Sequence, residues 1–156
     1  MIYFVVMRVV IQRVNRASVK VSGEMISSIE QGLLILLGVA DSDREEDAEY
    51  LAAKISAMRI FPDPDGKMNL SVVDVSGALL VVSQFTLHAS TKKGNRPSFM
   101  KSARPERAMV LYEFFMQRLS TLSGLKVEAG LFGAMMDVEL VNWGPVTIFM
   151  DSSQPE

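Results

Sequence analysis

Ser83-Gln84-Phe85-Thr86-Leu87 stands at the end of an apolar run, residues 78–83, and is followed at once by His88, the single histidine of the chain. Two hydroxyls and an imidazole this close together raise the question of nucleophilic hydrolysis. A serine triad needs a base within reach of the nucleophile and an acid that orients the base. His88 is five residues from Ser83, in the adjoining loop, and no Gly-x-Ser-x-Gly elbow frames the serine. His88 is therefore expected on the surface, outside the chemistry. The residues leave two readings of 83–86 open. Alternating polar and apolar side chains describe an ordinary half-buried strand end; a buried strand opening into a long loop also offers backbone N–H groups to a developing oxyanion.

Two other segments could do chemistry. Between residues 92 and 107 lie Lys92, Lys93, Arg96, Lys101, Arg104 and Arg107 against one acid, Glu106, in a chain whose net charge is -2. The field at a contact, rather than the total charge, decides whether phosphates are held. A solvated loop and helix start is the plainer reading of the same charges. Asn142-Trp143-Gly144-Pro145-Val146-Thr147 is the third segment. Gly-Pro between two strands is ordinarily a turn, although an X-Pro bond is also the kind that adopts cis at small cost.

Several function classes are excluded. The chain has no cysteine, hence no disulfide, thiolate metal site or cysteine nucleophile, and one histidine makes a His-rich metal site impossible. Dinucleotide and Walker fingerprints are missing. Asp63 and Asp65 lack the rest of a calcium loop, so no cofactor or metal is expected. Apolar runs 1–7 and 32–40 are too short for a membrane helix. No membrane association is expected, and the location is expected to be cytoplasmic.

The elements that would position these segments follow from the pattern. At 156 residues, 49% apolar and 22% charged, the chain suits one globular domain. Residues 7–14 and 17–21 predict two strands parted by a turn at Asn15-Arg16. Ser22-Gly23 predicts a hairpin into 25–29, and 33–39, apolar on both faces, a covered central strand. Ser42 and Glu45 form a capping-box pattern ahead of a helix of about 15 residues, which ends before Phe61-Pro62. Residues 62–66 predict a turn, 78–83 a buried strand, and 88–104 a long loop. A second helix begins at Pro105, turns Met109, Tyr112, Phe115, Met116 and Leu119 to one face, and stops at Gly124. Strands at 126–129, 135–141 and 146–150 close the chain, giving an α/β or α+β layered domain.

Ser83-Gln84-Phe85-Thr86-Leu87 and Gly144-Pro145-Val146-Thr147 resemble the two signature motifs of the D-aminoacyl-tRNA deacylase family. Met7-Arg8 with Ile11-Gln12-Arg13-Val14, Arg59-Ile60-Phe61, Gly66-Lys67-Met68-Asn69, Arg96-Pro97-Ser98-Phe99, and Phe132-Gly133-Ala134 with Met136 extend the resemblance in family order. It spans residues 7–151, leaving 1–6 as an extension or misassigned start and 152–156 as a tail. Trp143 departs from the pattern, since a small polar or acidic residue is expected there.

The resemblance implies a single three-layer α/β/β domain with curved sheets and two main helices, a homodimer with active sites at the interface, and hydrolysis of D-aminoacyl-tRNA and glycyl-tRNA. Ser83, Gln84, Phe85 and Thr86 would line the catalytic pocket, Phe85 and Thr86 through backbone N–H groups, with Phe132 and Met136 holding the adenine. Gly144 and Pro145, joined by a cis bond and inserted into the partner's site, would exclude L side chains. Thr86 has no general base nearby, so assistance from the tRNA 2′-hydroxyl is expected instead. Lys92, Lys93, Arg96 and Lys101 would meet the acceptor stem. The rival functions are a nonenzymatic RNA-binding module and an esterase of small D-amino-acid esters.

Overall fold

The structure, a computed structural model, describes residues 6–153. The expected extension at 1–6 lies outside the described residues except for Val6, as do residues 154–156 of the expected tail. In order, the elements are β1 (Arg8–Val21), β2 (Glu24–Ile29), β3 (Gly32–Gly38), α1 (Glu45–Ala57), β4 (Phe61–Pro62), β5 (Met68–Leu70), β6 (Ala78–Ser83), α2 (Pro105–Ser123), β7 (Val127–Ala129) and β8 (Asp137–Asp151).

Strand order in the main sheet is β2-β1-β3-β6-β7, with β8 also paired to β1; β4 and β5 form a separate ribbon. The β3–β6 and β6–β7 pairs are parallel and the others antiparallel. Side chains alternate between the faces of a strand, and the alternation of β3 and β6 builds two cores. Leu33, Ile35, Leu37, Leu79 and Val81 pack with Leu51 and Ile55 of α1 and Phe115 and Leu119 of α2. Leu34, Leu80 and Val82 turn the other way, into a cluster with Val14, Ala17, Val19 and Ile29. Helices thus cover one face of the central strands and curved sheet covers the other, which is the three-layer arrangement expected.

Asn15-Arg16 is not a turn. β1 runs unbroken through both residues, and its pairing with β8 shifts register on either side of Val14. Val9 and Ile11 face the helices, whereas Val14, Ala17 and Val19 face the second core. A residue that slips the period of two moves the following side chains to the opposite face. Two exposed polar residues inside one long strand therefore imitate a turn. The hairpin at Ser22-Gly23 is as expected, with φ of 51° and 81°, the positive values that a two-residue hairpin demands.

Both helices form where expected, with altered details. The box that opens α1 joins Arg44 and Asp47, not Ser42 and Glu45: the Arg44 N–H donates to the Asp47 carboxylate at 2.8 Å. α2 begins at Pro105 and is capped by Gly124, whose φ is 69° and whose N–H donates to Ser120 O at 2.9 Å. Met109 is exposed instead of facing the core. The last two predicted strands are one, β8, which passes through Gly144-Pro145.

Asp43, ahead of α1, is 1% exposed. Its Oδ2 accepts the Ala40 N–H at 2.6 Å. Arg107 donates to the carbonyls of Asp41, at 3.0 Å, and Asp43, bracing this loop against α2. Burial, reinforced by the charge of Asp47, raises the Asp43 carboxyl to about 7 against the pull of the backbone hydrogen bonds. An unfolded aspartate ionises near 3.9, so between about 4 and 7 the folded chain binds a proton that the unfolded chain has released, and stability falls as pH rises through that window. Asp43→Asn, which cannot ionise, is expected to flatten this decline in urea unfolding midpoints measured from pH 5 to pH 8. Parallel curves for the two proteins would show that Asp43 does not titrate there.

Candidate functional site

The end of β6 is held to the end of β3 by one further hydrogen bond, Gln84 N–H to Leu37 O at 2.7 Å. The chain then turns through a single 3-10 turn, Phe85–His88. The opening N–H groups of a helical turn lack partners within it, and those of Phe85 and Thr86 have no acceptor among the described residues. Around them the backbone is tied down. Ser102 Oγ donates to Phe85 O at 3.0 Å, and Arg8 Nη1 to Leu87 O at 2.8 Å.

These residues border a cavity of about 640 Å³, within the usual size of small-molecule sites. Ser83, Gln84 and Phe85 line it on one side and Phe132 and Met136 on another; Phe99 and Met135 complete the rim. Phe85 and Phe99 meet edge to face with ring centroids 5.1 Å apart. Phe132 leans on Tyr112 of α2 at 5.7 Å, and the Tyr112 hydroxyl, buried, donates to Val81 O at 3.0 Å. Aromatic walls of this kind suit the face of a nucleobase. Thr86 is exposed beside the cavity and does not line it; its hydroxyl accepts a hydrogen bond from the Gln84 amide.

His88 is buried at 1% exposure, contrary to the surface position expected. Its Nε2 lies 2.7 Å from Val6 O, and Nδ1 has no hydrogen-bond partner among the described residues. Burial, with the nearby charge of Arg8, lowers its pKa, so the ring is neutral and donates through Nε2 to the carbonyl. It makes no hydrogen bond to Ser83 or Thr86 among the described residues. The ring closes the end of the sheet and supplies no base to the cavity.

Gly144-Pro145 lies elsewhere. Gln12 pairs with Thr147 and Val14 with Asn142, so residues 143–146 of β8 stand opposite Arg13 alone. The surplus bulges out of the strand. Both residues at its crest are exposed, the bond between them is cis, and neither lines the cavity of its own chain. Asn142 closes the neck: its Oδ1 accepts Val146 N–H at 2.7 Å and its amide donates to Thr147 Oγ1 at 2.9 Å. Arg13 forms the floor. Its Nε donates to Trp143 O at 2.9 Å and its Nη1 to Ile60 O at 2.6 Å. The structure thus brings Ser83, Gln84, Phe85, Phe132 and Met136 together and leaves Gly144 and Pro145 apart.

Lys92, Lys93, Arg96 and Lys101 are exposed on the loop between β6 and α2 and do not line the cavity. A pair of hydrogen bonds between Ser90 and Ser98, each 2.8 Å, pinches this loop, with the first three cations at its tip. Ala103 N–H donates to Val39 O at 2.9 Å, returning the loop to the rim. None of the four cations forms an ion pair among the described residues. Sequence reasoning missed Phe99, Ser102 and Met135 as parts of the rim, and gave Arg13 and Asn142 no role. Arg13 could have been found as the one cation on the alternate positions Met7, Val9, Ile11 and Arg13, a face that is otherwise apolar.

Known proteins match this chain in sequence and in fold. The sequence model described as D-Tyr-tRNA(Tyr) deacylase matches residues 10–151. A D-aminoacyl-tRNA deacylase of Akkermansia muciniphila is 61% identical over 150 residues, covering 96% of this chain and 100% of the relative. One from Koribacter versatilis is 60% identical, covering 95% and 99%. The solved structure of a c-Myc DNA unwinding element binding protein is 41% identical with a TM-score of 0.88, covering 94% of this chain and 99% of that one. A probable eukaryotic D-amino acid tRNA deacylase, 16% identical with a TM-score of 0.82, covers 94% and 100% and shares the fold. With its motif segments gathered at one cavity and one strand bulge, and with a family match along nearly its whole length, the chain belongs to the D-Tyr-tRNA(Tyr) deacylase family.

Proposed function

We propose that this chain is an editing hydrolase of the cytoplasm that cleaves the ester of D-aminoacyl-tRNA, and of glycyl-tRNA, working as a homodimer. The observation that carries the proposal is the separation of the two motif segments. Residues 83–85 line a cavity with aromatic walls, while Gly144-Pro145 is exposed on a bulge that does not reach it. A second copy would bring the bulge of one subunit to the cavity of the other.

In this scheme the adenine of the terminal nucleotide lies between Phe132 and Met136, and the open N–H groups of Phe85 and Thr86 face the ester carbonyl. Two N–H donors aimed at a developing oxyanion supply the largest single term in many hydrolyses. The aminoacyl ester is already reactive, and orientation supplies much of the remaining acceleration. The ribose 2′-hydroxyl positions the attacking water, so no side-chain base is needed. The partner's Gly144 and Pro145 occupy the space an L side chain would require. A wall of main chain inspects the α-carbon and is indifferent to the side-chain atoms beyond it, so many D-amino acids are accepted. The cations at 92, 93, 96 and 101 meet acceptor-stem phosphates.

The test is deacylation of matched D- and L-aminoacyl-tRNA with a free D-aminoacyl ester as control. Selective hydrolysis of the D-aminoacyl-tRNA is expected. Binding without release of amino acid would indicate a nucleic-acid-binding module, and equal turnover of the free ester would indicate a general esterase.

Thr86→Ala is expected to keep kcat within about tenfold of wild type, since no base serves the hydroxyl; a loss of about 10⁴-fold or more, typical of a removed nucleophile, would restore Thr86 to that role. Gly144→Ala examines the filter. Gly144 has φ of 138°, and a Cβ there would lie 2.8 Å from Val146 Cγ2 and 3.1 Å from Arg13 Nη2. The crest must shift to accept it, so hydrolysis of L-aminoacyl-tRNA relative to D is expected to rise by about tenfold or more, as for other displacements of ångström size. An unchanged ratio would count against a filter at this position.

A further inference from the structure

Arg13 is 7% exposed, and burial lowers its pKa. Such a cation is costly unless its charge is met, yet the ion pairs among the described residues are Arg118–Glu49 and Lys126–Glu128. The Arg13 guanidinium is met instead by two carbonyls, those of Ile60 and Trp143, and by the face of the Trp143 indole, whose centroid lies 4.3 Å from Cζ. Trp143 also packs against Phe61 of β4, fully buried, with centroids 6.2 Å apart. A chain of contacts therefore runs from the core through Phe61, Trp143 and Arg13 to the underside of Gly144, where a Cβ would come within 3.1 Å of Arg13 Nη2.

We propose that Trp143 is a positioning residue for chiral selection: its ring holds the Arg13 guanidinium, and the guanidinium sets the height and direction of the Gly144-Pro145 crest. The proposal rests on the reading of that crest as the filter and assigns to this chain's tryptophan a function in selectivity, not in catalysis. The ring and the main chain of Trp143 act on the same partner. Arg13 stacks on the indole while donating to the carbonyl of the same residue, so guanidinium plane and bulge backbone are fixed together. A flat π face over a desolvated guanidinium is a stronger partner than an aliphatic surface of equal bulk. Leucine would fill the space beside Phe61 and leave the cation unmatched on that side.

Trp143→Leu and Trp143→Phe separate these contributions. Both are expected to hydrolyse D-aminoacyl-tRNA at wild-type kcat/KM, because the ring of residue 143 is turned to Arg13 and Phe61 and does not line the cavity of its own chain. Trp143→Leu is expected to raise the L-to-D ratio of kcat/KM by about tenfold, whereas Trp143→Phe, which keeps an aromatic face, stays near wild type. An unchanged ratio in Trp143→Leu, or an equal rise in both variants, would overturn the proposal. If Gly144→Ala raises the ratio and Trp143→Leu does not, this inference fails while the filter stands; if neither raises it, the filter fails as well.

A second measurement does not depend on the tryptophan variants folding. Trp143 is the only tryptophan of the chain, so its fluorescence reports on the stack directly. Arg13→Lys, which removes the planar partner and keeps the charge, is expected to increase acrylamide quenching of Trp143 and to raise the L-to-D ratio together. Quenching and ratio both equal to wild type would refute the coupling.

Discussion

Four residues of β8 are set against one of β1, and the mismatch is held open by a buried arginine. Everything particular about the Gly144-Pro145 segment follows from that pairing. The strands must stay paired on both sides, through Gln12–Thr147 and Val14–Asn142, so the surplus backbone has nowhere to go but outward. Asn142 fastens the two ends of the bulge and Arg13 fills the space under it. A charged side chain inside a strand that otherwise faces the core would weaken most sheets. Here its donors answer carbonyls that the bulge and the nearby ribbon leave unpaired by the ladder, and its face answers an indole.

The cavity depends on a different constraint, the burial of β3 and β6 on both faces. Gly32 shows how close the central strands come at their start: a Cβ there would lie 1.8 Å from Ala78 O. At their other end the strands stop together, the Gln84 N–H making the last hydrogen bond to Leu37 O. The 3-10 turn beyond it must leave its first N–H groups unmatched, and the returning loop and α2 wall that end of the sheet with Ala103, Pro105 and Ala108. Open donors at the edge of an apolar cavity are thus a product of where two covered strands terminate. No catalytic side chain is needed to create them.

How much of this was legible in the sequence depended on whether the determining contact was local. Ser22-Gly23, Pro105 and Gly124 act within a few residues, and each was read correctly. Asn15-Arg16 predicts a turn because exposure of two adjacent polar residues looks the same in a turn and in a strand irregularity; only the distant partner β8 distinguishes them. Ser42 satisfied the capping pattern, but Arg107, contributed by α2, holds the loop so that the helix starts later. His88 reads as a surface residue because the carbonyl its ring meets, that of Val6, is 82 positions away. The motif segments were recognised by resemblance. Their geometry was hidden, since Arg13 and Trp143 meet only after β1 and β8 have paired.

In the proposed scheme a second copy of the chain completes the site. Mixed dimers test this directly, combining one chain whose cavity is filled by Ala134→Trp with one whose crest is displaced by Gly144→Ala. Only the second chain has a usable cavity, and the only undisturbed crest belongs to the first. If the crest acts across the interface, the mixed dimer discriminates against L-aminoacyl-tRNA as the wild-type protein does. Hydrolysis of the L substrate at the level of the Gly144→Ala homodimer would place the crest and its cavity on the same chain and contradict the account.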